Sequence, residues 1–318
     1  MNTVITQNIN QAKQALLSGE VVAIPTETVY GLAANAFNSD AVIKIFNVKQ
    51  RPLFNPLIIH TNSLEKLKPL VKNIDSVSKK LAEKYWPGPL TILLPKSDII
   101  HDLVTAGSPL VAVRIPSHPT TLSLLEQLPF PLAAPSANLF GKISPTTATH
   151  VMEHFERQIP IILDGGPCAV GLESTIVYPQ NDKIEILRKG RIDINQIQES
   201  SGLPVTFRTK NENPEAPGML KSHYAPSAKL IVGSLNDLII KYRDKRIGIL
   251  AFGDIPKCKN CVHIEQLSSN MDLTEAAQNL FAALRNLDSS SAELILAPIL
   301  PDSGIGMAIN DRLERASA

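Results

Sequence analysis

Short apolar runs, bounded by proline, glycine and polar residues, recur along the first two-thirds of the chain and predict buried strands. They cover residues 21–25, 56–60, 90–95, 110–116, 132–136, 160–166, 174–179 and 183–190. Between several of them the apolar residues recur at helical spacing, which predicts helices near residues 8–19, 39–46, 77–85, 117–128 and 145–157. Strands with interspersed helices indicate an α/β fold, with a twisted mixed or largely parallel sheet flanked by helices.

The pattern changes after residue 203. Four prolines and few periodic apolar residues predict a linker over residues 204–228, which separates a catalytic domain at 1–203 from a smaller domain at 229–318. In the smaller domain we predict strands at 229–235, 246–253, 261–267 and 293–300, and an amphipathic helix at 272–287. This order indicates a Rossmann-like α/β domain of ordinary size.

Composition limits the classes of function that the chain can have. The net charge is +1 and aromatic residues make up 5%, which argues against a general nucleic-acid binder. Basic residues nevertheless outnumber acidic ones between Lys44 and Arg114, and a local basic field suits a small anion such as a nucleotide. With three cysteines and no apolar run long enough to span a membrane, we expect a cytoplasmic protein.

Common catalytic motifs are missing from the sequence. It contains no GxxxxGK[ST] phosphate loop, no GxSxG turn and no HExxH helix. Cys258 and Cys261, with His263 nearby, would make half of a zinc site, but no second cysteine pair completes it. We therefore interpret this segment as a surface turn between strands, with a redox pair as the weaker alternative.

Short polar clusters stand at the ends of several predicted strands. Residues 25–32 (PTETVYGL) follow the first strand, where hydroxyls and backbone amides at a strand-to-helix junction can hold an anion or an amino acid; a capped helix start explains Thr26 equally well. Lys49 and Arg51 share a face if their segment is extended, and two cations on one face suit a polyphosphate.

Arg114 lies inside an apolar strand and therefore needs a partner, for which a structural ion pair and a substrate anion are equally good readings. Ser136 and Asn138 supply polar side-chain groups among small residues. Ser174 belongs to a fifth cluster at 171–175. Many fixed donors, several cations and no evident nucleophile are typical of phosphoryl or nucleotidyl transfer, in which the substrates bring their own nucleophiles.

At these residues the chain closely resembles the YrdC family of threonylcarbamoyl-AMP synthases in its longer, two-domain form. The resemblance runs in order over nearly the whole chain and is carried by residues 25–32 (PTETVYGL), 49–60 (KQRPLFNPLIIH), 86–91 (WPGPLT), 113–116 (VRIP), 134–138 (APSAN), 144–146 (SPT), 171–177 (GLESTIV), 222–226 (SHYAP) and 304–317 (GIGMAINDRLERAS). The SHYAP string is the part that distinguishes the two-domain form.

The resemblance implies an enzyme that condenses L-threonine, bicarbonate or CO₂, and ATP into threonylcarbamoyl-AMP and pyrophosphate. A separate enzyme would then transfer the threonylcarbamoyl group to adenosine in ANN-decoding tRNAs. The implied threonine-binding residues are Thr28, His60, Arg114 and Ser174. The implied ATP-binding residues are Lys49, Arg51, Asn55, Ser136, Asn138, Ser144, Arg188 and Tyr224, the last as a lid from the linker. Lys49 and Arg51 would be catalytic, and Mg²⁺ would arrive with ATP rather than be held by the protein.

Two other functions stay open at this point. An RNA-binding module could use the local basic face without chemistry, and a weak RNA contact is compatible with the synthase as well. A related carbamoyl-adenylate enzyme of hydrogenase maturation uses a similar domain, but the acylphosphatase and zinc-finger segments of those chains are absent here. Both rank below the synthase.

Overall fold

The computed structural model describes residues 2–208, 216–218 and 223–318. Its residues form two compact units. The described residues of the first unit are 2–140, 145–168, 173–208 and 216–218. Those of the second unit are 141–144, 169–172 and 223–318, so two short segments of the predicted catalytic domain at 1–203 belong to this unit.

The first unit is built on one eleven-stranded sheet within the described residues, in the order β1-β8-β2-β3-β7-β4-β6-β5-β9-β10-β11. Its strands are β1 (Val4–Thr6), β2 (Val22–Ile24), β3 (Gly31–Asn35), β4 (Ile58–His60), β5 (Leu90–Pro95), β6 (Leu110–Arg114), β7 (Leu132–Ala133), β8 (Ile161–Leu163), β9 (Thr175–Pro179), β10 (Ile184–Arg188) and β11 (Val205–Phe207). The sheet is mixed and contains both parallel and antiparallel pairs; β4 runs parallel to β6, whereas β3 and β4 both run antiparallel to β7.

Eight α-helices of the described chain accompany this sheet. They are α1 (Ile9–Leu17), α2 (Ser39–Lys49), α3 (Leu64–Leu67), α4 (Ser76–Tyr85), α5 (Asp102–Thr105), α6 (Pro119–Glu126), α7 (Ala148–Phe155) and α8 (Ile194–Ser201), and a short 3₁₀ turn (Lys68–Leu70) follows α3. Polar residues cap most of their N-termini; Asn38, for example, accepts two backbone N–H groups at the start of α2. The largest core cluster packs helix residues such as Ile45 and Leu81 against sheet residues such as Ile59 and Val113.

The predicted fold class is confirmed, but three strands were not predicted. β1 and β11 have three residues each, which is too short for a clear pattern. The third, β3, belongs to the string that we interpreted as a junction with a helix. It instead turns back antiparallel to β2, with Val22 opposite Ala33, so that reading was wrong. Residues 26–30 are therefore a loop between two strands, and no helix begins there.

The second unit contains a four-stranded sheet in the order β12-β15-β13-β14, with every pair parallel. Its strands are β12 (Lys229–Val232), β13 (Ile247–Phe252), β14 (Cys261–Ser268) and β15 (Leu294–Ala297), and its helices are α9 (Leu235–Lys241), α10 (Leu273–Asp288) and α11 (Gly306–Ala316). The predicted helix at 272–287 is α10, whose apolar face buries Ala276, Leu280 and Leu284.

Part of the sequence-predicted linker packs within this second unit. Tyr224 is 1% exposed; its ring stacks on Phe281, with the centroids 5.5 Å apart, and the Arg312 guanidinium lies 5.1 Å from its centroid. The first part of the predicted linker forms β11, and residues 209–215 and 219–222 lie outside the described residues.

Cys258 precedes β14 and Cys261 begins it, and both are partly exposed. Among the described residues there is no cluster of three or more His, Cys, Asp or Glu side chains that would hold a metal ion. None of the described helices is both long and apolar enough to cross a bilayer.

Candidate active site

The carboxyl ends of β4 and β6 bring two predicted site residues side by side. These strands run parallel, with His60 opposite Arg114, so both side chains leave the sheet at neighbouring positions. Arg114 is 3% exposed. Its Nη1 donates to Thr28 Oγ1 at 2.8 Å and its Nε to the Gly88 carbonyl at 3.2 Å.

Glu27 supplies the partner that a buried arginine requires. Its Oε1 lies 2.6 Å from Arg114 Nη2, with side-chain exposures of 9% and 4%, and its Oε2 accepts the backbone N–H of Ser117 at 3.1 Å. Of the two partners that we considered for Arg114, the structure therefore contains the structural ion pair. Because its charge is matched and its position is held from three sides, Arg114 presents a fixed guanidinium.

The loop between β2 and β3 carries Thr28 to this guanidinium. Thr26 Oγ1 accepts the backbone N–H groups of Thr28 and Val29 and lies 2.8 Å from Thr28 Oγ1. The hydroxyl of Thr26 therefore closes the loop on itself, as a local side-chain turn. The same loop reaches the turn that bears two predicted ATP ligands, since Ala137 N donates to the Tyr30 carbonyl at 2.7 Å.

His60 is 4% exposed, and its Nδ1 lies 3.2 Å from the Ile58 carbonyl. Burial, and then the charges of Arg114 and Arg188, lower the pKa of His60 to about 3. The imidazole is therefore neutral at neutral pH. Both guanidinium groups act on it electrostatically, which places Arg188 in the same neighbourhood as Arg114.

Ser174, which directly precedes β9, hydrogen-bonds to residues of both β5 and β10. Its buried hydroxyl lies 2.7 Å from Thr91 Oγ1 and accepts from Arg188 Nη2 at 2.9 Å, while Arg188 Nε donates to the Ser174 carbonyl at 3.0 Å. The Arg188 guanidinium is thus held by Ser174 at two points and by the Pro217 carbonyl, at 3.3 Å, at a third. Hydroxyl and guanidinium groups of this kind bind carboxylates and phosphates.

Lys49 and Arg51 lie together, although not for the reason that we inferred from the sequence. The segment is not extended: Lys49 ends α2, and Gln50 adopts a left-handed conformation with φ 51° that turns the chain. Arg51 then donates to Asn55 Oδ1 and to the Pro56 carbonyl, each at 2.7 Å. The buried Asn55 Nδ2 has no hydrogen-bond partner among the described residues, so this donor is available to a ligand.

Lys49 is 1% exposed, and its Nζ donates to the carbonyl oxygens of Ser136, at 2.6 Å, and Asn138. Burial, and then the neighbouring Arg51 charge, hold its pKa well below the usual lysine value. Neither carbonyl carries a net negative charge. A bound polyanion would supply that charge and favour the protonated form.

The structure therefore groups most of the predicted residues into two connected clusters in the first unit. One contains Thr28, His60, Arg114, Ser174 and Arg188, and the other contains Lys49, Arg51, Asn55, Ser136 and Asn138. Ser144, which is fully buried, and Tyr224 belong to the second unit.

Sequence reasoning missed Glu27 and Thr91. The signal for Glu27 was present, because an arginine inside an apolar strand must have a partner and a glutamate stands in the first polar cluster. Thr91 ends the WPGPLT string that contributes to the family resemblance, but nothing in the pattern of its apolar strand marked it as a site residue.

Two protein-family models together span nearly the whole chain. The Sua5/YciO/YrdC model, described as telomere recombination, matches residues 14–190. The model described as the C-terminal domain of threonylcarbamoyl-AMP synthase matches residues 186–318.

Similar proteins include curated threonylcarbamoyl-AMP synthases of Pyrococcus abyssi and Bacillus subtilis. The first is 40% identical over 94% of this chain and 91% of its own length, and the second is 41% identical over 97% and 92%. Among solved structures, that of Pyrococcus abyssi Sua5 complexed with L-threonine superposes with a TM-score of 0.91 and 38% identity, and covers 99% of this chain and 97% of that one.

Proposed function

Because the chain belongs to the Sua5/YrdC family of threonylcarbamoyl-AMP synthases, we propose that it condenses L-threonine, bicarbonate and ATP into threonylcarbamoyl-AMP and pyrophosphate. The threonine amine bonds to the carbon of bicarbonate and water departs, which leaves a carbamate. A carbamate oxygen then attacks the α-phosphorus of ATP, and the bond from that phosphorus to the pyrophosphate oxygen breaks. A separate enzyme would pass the threonylcarbamoyl group to adenosine in ANN-decoding tRNAs.

The observation that carries this proposal is the buried ammonium of Lys49. It contacts only carbonyl oxygens, in a position where burial disfavours its charge, and Arg51 adds a second cation nearby. Burying such a group is costly unless an anion completes the site. We infer that the phosphates of ATP, with their Mg²⁺, supply that anion, and that Asn55 Nδ2 donates to the same ligand.

The other cluster suits the amino acid. The guanidinium of Arg114 would bind the threonine carboxylate, and the hydroxyl groups of Thr28 and Ser174 would hydrogen-bond to its polar atoms. Arg188, which the resemblance implies as an ATP ligand, bonds to Ser174 in this cluster, and we propose it for the threonine carboxylate instead. The P. abyssi relative was solved as a complex with L-threonine, which supports an amino-acid site in this fold. Ser144, Ser136 and Asn138 remain proposed ATP ligands.

Tyr224 remains our proposed lid over the nucleotide. Its ring is packed against Phe281 within the second unit. Replacing Tyr224 by Phe keeps the ring and removes the hydroxyl, whereas replacing it by Ala removes both. If the ring acts as a lid, the KM for ATP should rise in Tyr224→Ala and not in Tyr224→Phe.

Pyrophosphate release tests the reaction. We would measure it with ATP and Mg²⁺, with threonine and bicarbonate each present or omitted. Release should require both co-substrates and should fall by roughly 10²–10³ in Lys49→Ala if this cation acts mainly in the transition state. Lys44→Ala is the matched control, because Lys44 lies on the same helix but pairs with Glu20 at the surface.

Either of two results would refute the proposal: release that does not depend on threonine, or equal losses in Lys49→Ala and Lys44→Ala. Strong, steeply salt-dependent binding of unmodified tRNA without any pyrophosphate release would instead support the RNA-binding alternative.

A further inference from the structure

Cys258 and Cys261 form a C-x-x-C sequence at the start of β14, and neither takes part in the proposed reaction. The chain bends between them at residues 259–260. Both cysteines are partly exposed, and both side chains pack against the apolar cluster of the second unit that contains Ile249 and Leu296. The two thiols therefore lie in the same region of the second unit, and solvent reaches both residues.

The thiol of Cys261 is affected by that of Cys258. Burial, and then the nearby Cys258 thiol, raise the pKa of Cys261 to about 11. One thiol acts on another in this way only at short range, so the two are neighbours across the bend. Their hydrogen bonds are those of weak donors, from Cys258 Sγ to Asn260 Oδ1 and from Cys261 Sγ to the His263 carbonyl, each at 3.3 Å. Losing these hydrogen bonds when an S–S bond forms therefore costs little.

Asn260 holds the bend in place. Its Nδ2 donates to the carbonyl oxygens of Tyr242, at 3.1 Å, and Lys245. Its own backbone carbonyl accepts the N–H of Ile247 at 3.2 Å. The bend is thus attached both to β13 and to the turn before it. Because the loop is already ordered, the folded protein brings the two thiols together before any covalent bond forms.

The two cysteines differ in their suitability for the first step of a thiol reaction. Cys261 stays protonated near neutral pH because its pKa is raised, and a protonated thiol is a poor nucleophile. Cys258 is flanked in sequence by Lys257 and Lys259, which are both exposed. Two cations beside a thiol raise the local concentration of an anionic reactant. Cys258 is therefore the better candidate for first attack on such a reactant.

We propose that Cys258 and Cys261 are a site of reversible disulfide formation, at which Cys258 reacts first with a low-molecular-weight disulfide of negative charge. The Cys258 thiolate attacks one sulfur of the reactant, a mixed disulfide forms, and the other half leaves as a thiolate. The Cys261 sulfur then attacks the Cys258 sulfur, and the second half leaves. The two departing thiolates take up the protons that the cysteines lose. Two protein thiols are thus oxidised to one disulfide, and the reactant is reduced to two thiols.

This inference does not depend on the proposed function, and mass spectrometry of the full chain tests it. The reduced protein is equilibrated with oxidised and reduced glutathione, quenched with acid and mapped by its peptides. A short linker gives an effective concentration of about 1 mM or more, so at about 0.1 mM reduced glutathione the Cys258–Cys261 disulfide should exceed the mixed disulfide about 10-fold. Cys168, which is 2% exposed, should remain a free thiol.

Three results of this experiment would overturn the proposal. They are a mixed disulfide as the main product, a disulfide between two copies of the chain, and two thiols that stay free under oxidation that converts a small dithiol completely.

Two serine variants test the order of reaction. Cys261→Ser removes the thiol that would displace glutathione, so the mixed disulfide should accumulate at Cys258. Cys258→Ser leaves the thiol of raised pKa, which should react with oxidised glutathione about 10-fold or more slowly. Equal rates in the two variants would refute the assigned order. If either variant does not fold, as judged by circular dichroism, the peptide map of the unmodified protein still decides whether the pair forms a disulfide.

The charge of the reactant is tested separately. Replacing both Lys257 and Lys259 by Gln should slow the reaction with anionic oxidised glutathione several-fold and leave the reaction with uncharged 2-hydroxyethyl disulfide unchanged. Lys229→Gln is the matched control, because Lys229 is exposed on β12, at the opposite edge of the same sheet. An equal loss with both reactants, or no loss with glutathione, would overturn the role of the two lysines.

Discussion

Replacing Glu27 by Gln removes the negative charge that faces Arg114 while keeping the size of the side chain. The two charged atoms lie 2.6 Å apart, and both side chains are at least nine-tenths buried. With an effective dielectric constant of about 20, their gross attraction is about 6 kcal/mol. The guanidinium stays buried in the variant without its counter-ion. We therefore expect the free energy of unfolding to fall by about 3–5 kcal/mol.

Glu20→Gln is the matched control for this charge. Glu20 pairs with Lys44 at 2.8 Å, nearly the same distance, but the side chains of Glu20 and Lys44 are 34% and 42% exposed. An exposed pair of this kind contributes about 0–1 kcal/mol. The two variants thus make the same chemical change at similar separations and differ in burial.

The assay is denaturant unfolding followed by tryptophan fluorescence. Trp86 is the only tryptophan of the chain, and it lies in the first unit, two residues before the Gly88 carbonyl that accepts from Arg114. Its signal therefore follows the unit that contains the ion pair. The slope of the free energy with denaturant must stay the same in the variants for the comparison to be valid.

The same variant should raise the KM for threonine more than the KM for ATP, because Arg114 belongs to the proposed amino-acid cluster. If Glu27→Gln and Glu20→Gln lose similar stability, or if Glu27→Gln loses less than about 1 kcal/mol, the buried pair is not the determinant we infer.

Three other outcomes follow from the geometry. A methyl group in Gly190→Ala would overlap the backbone of residues 173–175, so we expect a loss of about 1–3 kcal/mol in thermal unfolding and weaker threonine binding through displacement of Ser174. Burial raises the pKa of the Cys168 thiol to about 12, so mass spectrometry after maleimide treatment of the native protein should find Cys168 unmodified while the partly exposed Cys258 reacts. The pKa of His60 falls to about 3 on folding, so the unfolded chain binds more protons than the folded chain below about pH 6.5. The free energy of unfolding should therefore decrease on acidification, with a slope of up to about 1.4 kcal/mol for each pH unit. Unfolding of His60→Asn, measured between about pH 5 and 7, should lack that slope.

The sequence was sufficient for the class of fold and for the family. Apolar runs of the length of a buried strand, such as 90–95 and 110–114, correspond directly to β5 and β6, because burial on both faces leaves a continuous apolar signal. The periodic apolar face of α10 was equally clear. Motifs such as residues 25–32 and 134–138 identified the family through their resemblance to its characteristic strings.

Local conformation at the site was less predictable. The string at 25–32 ends in the first residues of β3, whose small apolar residues carry little strand signal. Lys49 and Arg51 lie close together because α2 ends between them in a left-handed residue, and not because the segment is extended. In both cases the conformation that we inferred was wrong, and the roles of these residues at the site stay predictions.

The sequence by itself determined which residues carry the charge and the hydrogen-bonding groups, since these are properties of side-chain chemistry. Only the tertiary structure decided their partners and their protonation states. Glu27 meets Arg114 through the loop before β3, and His60 is neutral because burial and two guanidinium groups act on it together. Ion pairs and pKa shifts depend on distances of a few ångströms between segments far apart along the chain, and the packing of the sheet sets those distances.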